Sequence, residues 1–485
     1  MSARSASGPG RALLAAAALL AALAAPAAAD APRAKFDTRV LAAVPSPGYP
    51  ALSLVASDRR IYVGSFENPA GDSLPSKVFR YGPDGALETS YAIFGQDLSK
   101  PHGVQVAAED GSGRLYLMDQ SPPRVLRLDP RTGVQEVWAT FSDVPPCAGA
   151  PAGAECSQTV MDNPPEPDYA AWGPDGAMYV TDYQQGLIWR VPPGGGAAHV
   201  WFSDPLLDGT MFDAAGIVLM PDHHTLLLDT AASATSTGPD FTSGKVFTLP
   251  IKPDGKPGTL SRLWTSQPRE APDGLALAAS GNVYVALVGP GANQLVEVSP
   301  LGQELARYPD AATNSSLTVP YDEPSSVQFD GQRMIVTNLA YFSGNTSHMV
   351  LFDVWAGEPG APVFRPAAGV VSAVAPPALA PPLSVAVSPR RLRAGRRARL
   401  VVLVSAPAGA RQDPVAGAAV RLSGPALRGV AHGRRVPRTG ASGRTSVSVR
   451  PRHRGFITVT VSKTGFRPAR GRVTVSRRRR PRRAR

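Results

Sequence analysis

The stretch PDGLALAASGNVYVAL, from Pro272 to Leu287, decides the fold. It predicts two short apolar strands joined by a tight turn, because alternating aliphatic residues flank the dipeptide Ser280-Gly281. A lone hairpin of this length is only marginally stable in water, so it needs further strands beside it. Its neighbours along the chain therefore determine the architecture.

The same unit recurs between Tyr49 and Pro366. Each copy holds two apolar strands around a polar turn, followed by a third strand that ends in a Pro/Gly turn. One equivalent position in the second strand recurs at intervals of 54, 63, 47, 58 and 51 residues, at Tyr62, Tyr116, Tyr179, Leu226, Tyr284 and Ile335. This repeat predicts an all-β chain with a six-bladed β-propeller over residues 30–366. Lys35–Val44 and Ala361–Pro366 are candidates for the strand exchange that closes the ring.

The charge of the chain is split between two regions. The total is +12 in 485 residues, yet residues 383–485 hold 27 Lys and Arg against one acid, Asp413, which leaves −14 for residues 1–382. Residues 367–382 are rich in Ala and Pro and predict a linker. The alternating strands of residues 383–476 predict a small β-sandwich, and VAGAAVRLSG followed by ASGRTSVSVRPRHRGFITVTVSKTGF resembles bacterial immunoglobulin-like domains. The Arg-rich residues 477–485 predict a disordered cationic tail.

The N-terminus predicts export. Arg4 and Arg11 precede an Ala/Leu run that ends in Ala27-Ala28-Ala29, the pattern of a signal peptide over residues 1–29. An exported chain meets an oxidising compartment, so Cys147 and Cys156 predict a local disulfide. Together with a composition typical of high-GC bacteria, this predicts a bacterial protein that is secreted or held at the cell envelope.

The residues at the start of each first strand should meet at one mouth of the propeller channel. The repeat register aligns Ala51, His102, Asp168, Ala215, Asp273 and Pro324. Acids also lie close to two of these positions, at Asp213 and Glu323. The register thus predicts a cluster of carboxylates and one imidazole at the mouth.

PDGLALAASGNVYVA, PDYAAWGPDGAMYVTD (Pro167–Asp182) and the repeat rhythm resemble the senescence marker protein/gluconolactonase (regucalcin-like) family. The resemblance covers about 320 residues and implies a lactone hydrolase with a divalent cation, calcium or zinc, at the channel mouth. Asp273 matches the ligand in the family's PDG motif, and Asp168 occupies a nearby Asn position. Ala51 and Ala215 stand where the family has a Glu and an Asn ligand, so Asp213 is the candidate that restores a third metal ligand.

Two further readings stay open at this point. His102 and Glu323 are candidate catalytic residues, as general base and channel acid, for metal-independent chemistry of the kind seen in strictosidine-synthase-like propellers. Alternatively, the propeller has lost the family metal site and binds a ligand, or adheres, without catalysis. The sequence leaves open whether the protein is an enzyme, with a lactonase-type hydrolase as the activity if it is.

The expected partners follow from the same features. A small organic substrate or ligand is expected in the channel, and anionic cell-envelope polymers or lipids are expected on the basic C-terminus. The charge also attracts nucleic acid, but export argues against a specific nucleic-acid partner. We expect a monomer.

Overall fold

The computed structural model describes residues 33–160, 163–210, 212–235, 238–242, 244–367, 383–408, 411–427, 436–463, 466 and 469–476. The predicted signal peptide, most of the linker and the cationic tail lie outside these residues. The described chain is all-β, as predicted, with one short α-helix, α1 (Ala311–Ser316), and 3₁₀ turns at Pro205–Leu207, Thr346–His348 and Pro425–Leu427. No described helix is long and apolar enough to cross a membrane.

The strands up to residue 355 form successive antiparallel units, numbered here in chain order after the N-terminal strand β1 (Thr38–Ala43). Unit 1 contains β2 (Pro50–Val55), β3 (Ile61–Asn68), β4 (Lys77–Tyr81) and β5 (Leu87–Ala92). Unit 2 contains β6 (His102–Glu109), β7 (Leu115–Gln120), β8 (Pro123–Leu128) and β9 (Gln135–Thr140). Unit 3 contains β10 (Pro167–Trp172), β11 (Met178–Asp182), β12 (Leu187–Val191) and β14 (His199–Ser203), with β13 (Gly196–Ala197) paired to β9.

The later units follow the same plan. Unit 4 contains β15 (Ala214–Leu219), β16 (Thr225–Thr230), β19 (Lys245–Pro250) and β20 (Ser261–Thr265), with a side hairpin of β17 (Ser233–Thr235) and β18 (Gly238–Asp240). Unit 5 contains β21 (Pro272–Leu277), β22 (Val283–Leu287), β23 (Gln294–Val298) and β24 (Glu304–Tyr308). Unit 6 contains β25 (Pro324–Asp330), β26 (Arg333–Asn338) and β27 (Val350–Trp355), completed by β1.

The predicted repeat register is found in the strand pairing. The equivalent positions all lie on the second strand of their unit, and Tyr62, Tyr116, Tyr179 and Tyr284 pair with Leu54, Ala108, Ala171 and Ala276 of the first strand. The second strands are buried between neighbouring units, because apolar side chains on both of their faces pack against other sheets. The regular spacing of buried aromatic residues is therefore a consequence of one repeated hairpin geometry.

The first strands contact one another in cyclic order. β2 touches β6, β6 touches β10, and so on through β15, β21 and β25, which returns to β2. Hydroxyl groups join neighbouring units: Thr181 donates to the carbonyl oxygen of Ala215 at 2.6 Å, and Ser325 donates to that of Ala51 at 2.6 Å. The inner strands also need glycine, since a Cβ at Gly216 would fall 2.7 Å from the Asp273 carbonyl oxygen.

Of the two segments predicted to close the ring, one joins the last sheet and the other does not. Strand β1 pairs antiparallel with β27, with Thr38 opposite Val354, which confirms the exchange proposed for Lys35–Val44. Ala361–Pro366 forms no strand in this sheet, so that part of the prediction is wrong. Its two ends form backbone hydrogen bonds with different units. The Ala361 amide donates to the carbonyl oxygen of Leu277 in unit 5, and the Gly111 amide of unit 2 donates to the carbonyl oxygen of Pro366. The segment carries no partner strand because it crosses between units 5 and 2.

The described residues between 383 and 476 form two four-stranded sheets around one apolar core. Their strands are β28 (Ser384–Ser388), β29 (Arg391–Arg393), β30 (Ala398–Ala408), β31 (Arg411–Pro414), β32 (Ala419–Ser423), β33 (Arg444–Val449), β34 (Gly455–Ser462) and β35 (Ala469–Ser476). The buried side chains alternate along β34 and β35, as expected for strands with one solvent-facing side. The predicted disulfide between Cys147 and Cys156 is also present.

Candidate functional site

A cavity of about 460 Å³ lies at the end of the channel where the first strands begin. Its wall combines aromatic side chains with carboxyl groups, which suits an organic molecule held by a few polar contacts. The acidic side chains in the wall are Glu67, Asp97, Glu166, Asp168 and Asp273. We call this space the mouth cavity.

Asp168 and Asp273 meet in the mouth cavity, as the sequence predicted. They are the second residues of β10 and β21, and only 4% and 8% of their surfaces are exposed. Burial raises the pKa of Asp273 to about 8, with the Tyr169 hydroxyl acting in the opposite direction. Burial, and then the charge of Asp273, hold the pKa of Asp168 well above its ordinary value. Two carboxyl groups so close together cannot both ionise easily, so the pair retains a proton.

Gln105 is a cavity residue that the sequence reasoning missed. Its side-chain nitrogen donates to Oδ1 of Asp168, and its Oε1 has no hydrogen-bond partner among the described atoms. β6 presents Gln105 rather than the expected His102 to the cavity, because Gln105 precedes Tyr116 by eleven residues, the spacing that also separates Asp168 from Tyr179 and Asp273 from Tyr284. His102 precedes Tyr116 by fourteen residues, so the expected position in unit 2 lay three residues too early.

Glu67 and Glu166 are the other missed acids. Glu67 lies near the end of β3 and accepts from the Tyr341 hydroxyl at 2.9 Å; Glu166 directly precedes β10 and accepts from the Gln120 amide at 2.7 Å. Burial, with the charges of Asp182 and Glu67, raises the pKa of Glu166 to about 8. Both acids stand outside the repeated positions, so the repeat alone could not identify them.

His102 faces away from the mouth cavity. Its ring nitrogens lie 2.9 Å from the carbonyl oxygen of Lys100 and 3.1 Å from that of Leu74, and the side chain is fully buried. Both contacts are to backbone acceptors, so the imidazole ties the loops around β6 together. This placement gives it no access to a molecule in the cavity.

Glu323 supports the cavity wall rather than lining it. Its Oε2 accepts from the Phe342 amide at 2.7 Å, and its own amide donates to Asn293 at 2.9 Å. The residue has a positive φ of 59°, which these bonds stabilise. Glu323 therefore positions Phe342, whose side chain does line the cavity.

Asp213 does not join Asp168 and Asp273 at the cavity wall. Its Oδ1 accepts from the Gly209 amide at 2.6 Å, its Oδ2 has no partner among the described atoms, and burial followed by the charge of Asp208 raises its pKa well above the ordinary value. The third metal ligand expected from the family resemblance is thus directed elsewhere.

The residues present do not fit the divalent-metal site of that family. Ala51 and Ala215 offer no side-chain donor, and a hard cation requires several oxygen ligands. Among the described residues, no group of three or more His, Cys, Asp or Glu side chains is arranged to hold a metal ion.

The acids that end the second strands hold the turns and the strand edges. Asp119 bonds Arg124 and Gln96, and Asp182 accepts from the Trp189 indole at 2.7 Å as well as from nearby amides. Asp229 accepts from the Gly216 amide at 2.8 Å. These bonds agree with the structural role that the sequence suggests for the series.

A second cavity of about 330 Å³ lies at the other end of the channel. Tyr169 borders both cavities. The segment Pro359–Arg365 lines the second cavity, where Arg365 lies 2.6 Å from Glu109. The charged residues there form the ion pairs Arg59–Asp330 and Arg365–Glu109, whereas the charged side chains that line the mouth cavity form no ion pair with a described residue.

Comparisons with known proteins find similarity in fold only. No model of a known protein family matches the sequence, and no curated protein matches it either. Solved structures with a similar fold include virginiamycin B lyase from Staphylococcus aureus, in its catalytically inactive form with quinupristin (16% identity, TM-score 0.39, covering 64% of this chain and 82% of that one). A gluconolactonase of Xanthomonas campestris is similar at 14% identity and a TM-score of 0.39, covering 68% and 99%.

A third similar structure is the PQQ-bound aldose sugar dehydrogenase of Streptomyces coelicolor, at 12% identity and a TM-score of 0.41, covering 67% of this chain and 99% of that one. At these identities and scores none of the three identifies an activity for this chain. The similarity to these propeller proteins is one of fold only.

Proposed function

We propose that the protein is an exported, gluconolactonase-like six-bladed β-propeller that hydrolyses a lactone or a related ester in the mouth cavity. The carboxyl pair of Asp168 and Asp273 takes the place of the family metal as the acid–base group. The observation that carries this proposal is the pair itself: two buried carboxyl groups with raised pKa values, in a cavity large enough for a small organic substrate. The cyclic contacts of the first strands support the six-bladed arrangement.

A pair that holds one proton can act as acid and base together. The ionised carboxylate accepts a proton from water, whose oxygen attacks the carbonyl carbon of the substrate, while the protonated carboxyl donates to the carbonyl oxygen. In the second step the carbon–oxygen ester bond breaks, the leaving oxygen takes the proton first removed from water, and the other acid recovers its proton. The products are a hydroxy acid, or an acid and an alcohol, and the pair returns to its starting state.

The test uses purified mature protein, a panel of γ- and δ-lactones and aryl esters, and the variants Asp168→Asn and Asp273→Asn. Each variant should lower kcat/KM at least about 100-fold, the usual contribution of general acid–base catalysis. The exposed hairpin variant Asp254→Asn is the matched control and should leave the rate unchanged. Hydrolysis that survives both cavity variants would contradict the carboxyl-pair mechanism, and no hydrolysis of any compound would favour the non-catalytic ligand-binding alternative.

Metal content separates this mechanism from the metal-dependent one. We expect the purified protein to hold less than one equivalent of calcium or zinc and to keep its rate after chelation. A bound ion that is lost together with activity in Asp273→Ala would restore the family mechanism instead.

We also propose that residues 383–476, an immunoglobulin-like module, hold the protein at the cell envelope. The outer face of β29, β32, β34 and β35 supports this role. Five arginines of this face are exposed: Arg391, Arg393, Arg421, Arg470 and Arg472. No ion pair with a carboxylate is present within the described part of the module. An anionic polymer or lipid surface would supply about 1 kcal/mol for each basic residue close to it.

Two full-length variants test this face in cells. In one, the five arginines of the face become Gln; in the matched control, five exposed arginines elsewhere on the module become Gln, namely Arg399, Arg444, Arg450, Arg452 and Arg454. The first variant should leave the cell fraction at a lower salt concentration than the control. Equal release of both variants would contradict the assignment of this face.

The proposed export is tested separately. N-terminal sequencing of the exported protein should give Asp30 as the first residue, because the signal peptide is expected to end at Ala29.

A further inference from the structure

The mouth cavity concentrates carboxyl groups that have no basic partner among the described residues. Its described wall contains five acidic side chains and a single basic one, the exposed Lys100 at the rim. None of Glu67, Glu166, Asp168 and Asp273 forms an ion pair with a described cation. Some buried acids elsewhere in the propeller, such as Asp330 and Glu109, are paired with arginine, whereas Asp182, Asp213 and Asp229 accept hydrogen bonds from neutral donors. The absence of such partners at the mouth leaves room for a positive charge that arrives with a ligand.

Glu67 and Glu166 are the acids best placed to receive that charge. Their described partners are neutral: the Tyr341 hydroxyl for Glu67, and the side chains of Gln120 and Gln184 for Glu166. Their charges also act on each other, since that of Glu67 contributes to the environment of Glu166. A cation between them would relieve this repulsion and complete their hydrogen bonding.

Aromatic rings form a continuous band along the same wall. Phe66 packs edge-on against Tyr341 and Tyr183, with centroids 5.7 and 6.2 Å apart. Phe212 continues the band, 5.8 Å from Tyr183 and 5.3 Å from Phe241. Aromatic faces attract organic cations, and they also cover the apolar part of a ligand.

The side-chain oxygen of Gln105 is a buried acceptor that lacks a hydrogen-bond donor, which is independent evidence for a ligand in the cavity. The residue is 2% exposed and lines the cavity, its nitrogen is used on Asp168, and its Oε1 lacks a partner among the described atoms. A buried amide oxygen without a donor costs stability, so such atoms are rare unless a ligand or water completes them. An N–H group of a ligand would satisfy it.

From these four observations we propose that the mouth cavity binds a primary or secondary organic ammonium ion with an apolar body. The ammonium group lies near Glu67 and Glu166, and the apolar body lies against the aromatic band. This inference builds on the proposed function, because it names the substrate class of the same cavity: an amine-bearing lactone or ester. A neutral sugar lactone would leave the acids without a partner.

The experiment measures binding to the full mature protein by calorimetry, using three probes of similar size. They are phenethylammonium, the neutral 2-phenylethanol and the anionic 3-phenylpropionate. We expect phenethylammonium to bind at least about tenfold more tightly than the alcohol, and 3-phenylpropionate to bind most weakly. The double variant Glu67→Gln/Glu166→Gln should remove that preference, while Glu155→Gln, an exposed carboxyl outside the cavity, should keep it.

Each outcome decides the inference. Equal binding of amine and alcohol, tighter binding of the acid, or a preference that persists in the double variant would overturn it, and so would calcium or zinc that displaces the amine from Glu67 and Glu166. Asp273→Asn separates the two proposals, because it should abolish hydrolysis yet keep the preference for the amine. An inactive protein that still prefers the amine loses only the proposed hydrolysis, and an active one without the preference loses only the ammonium site.

Discussion

The hydroxyl group of Tyr169 donates a hydrogen bond to the backbone carbonyl of Ser325 at 3.0 Å, across the channel from β10 to β25. Gly274 makes this approach possible, because a Cβ there would lie 2.6 Å from the Ser325 oxygen and 2.8 Å from the Tyr169 hydroxyl. The glycine of the PDG motif is thus required by packing. The bond holds the ring that borders both cavities and keeps it beside Asp273.

Tyr169→Phe should remove this bond while leaving the ring in place. We expect the free energy of unfolding to fall by about 1–2 kcal/mol, since the Ser325 carbonyl loses its buried donor. The hydroxyl also lowers the pKa of Asp273, so the pKa should rise further in the variant. Urea denaturation measures the first effect. Tyr308→Phe, which removes a hydroxyl without a hydrogen bond to any described residue, is the control and should change stability much less.

Stability should decrease as pH rises from about 4 to about 8. An acid whose pKa is raised in the folded state keeps its proton there while the unfolded chain has released it, so folding is favoured below the unfolded pKa and weakened as pH approaches the folded value. For Asp273 this window extends from 3.8 to about 8. Within this window the titration of Asp273 lowers the free energy of unfolding by up to about 1.4 kcal/mol for each pH unit.

Thermal unfolding at a series of pH values measures this slope. Asp273→Asn should flatten it, because the amide does not titrate. Asp254→Asn should leave the slope unchanged. The pKa of that exposed acid is lowered rather than raised, mainly because the Lys256 backbone amide donates a hydrogen bond to it. A melting temperature that increases from pH 5 to pH 8 would show that the mouth acids are ionised in the folded protein.

The fold was largely predictable because one hairpin repeats in register. The burial of Tyr116, Tyr179 and Tyr284 at equivalent positions is imposed by the same packing each time, so periodicity reveals it. Asp168 and Asp273 were found for the same reason. Gln105 was missed because the expected position in unit 2 was set three residues too early, at His102, and Glu166 was missed because it belongs to a loop whose path depends on tertiary contacts.

Gln105 should act as a positioning residue for the carboxyl pair. Its amide donates to Oδ1 of Asp168 and thereby lowers the pKa of that acid, against the larger effect of burial. Gln105→Leu removes the donor at similar volume, so the pKa of the pair should rise and the pH–rate profile should move to higher pH. A residue with only a structural role would lower the rate without moving the profile. Gln105→Glu, which adds a further carboxyl, should move the profile in the same direction.

The segment after the last propeller strand should stabilise the second end of the channel. Arg365 lies 2.6 Å from Glu109, which also accepts from the amide and hydroxyl of Ser57, so one carboxylate joins this segment to units 1 and 2. Arg365→Met keeps most of the side-chain volume but removes the charge. Because Glu109 is only 3% exposed, its carboxylate would lose a charged partner in a desolvated place, and the free energy of unfolding should fall by about 2 kcal/mol.

The exposed pair of Arg131 and Asp129 provides the comparison. Its arginine is 71% exposed, so Arg131→Met should cost at most about 0.5 kcal/mol. Urea denaturation of both variants measures the difference. Equal costs would mean that solvent reaches Glu109 freely, and the segment would then be a passive exit from the propeller. A larger cost for Arg365→Met would show that the chain beyond β27 belongs to the folded unit that contains the site.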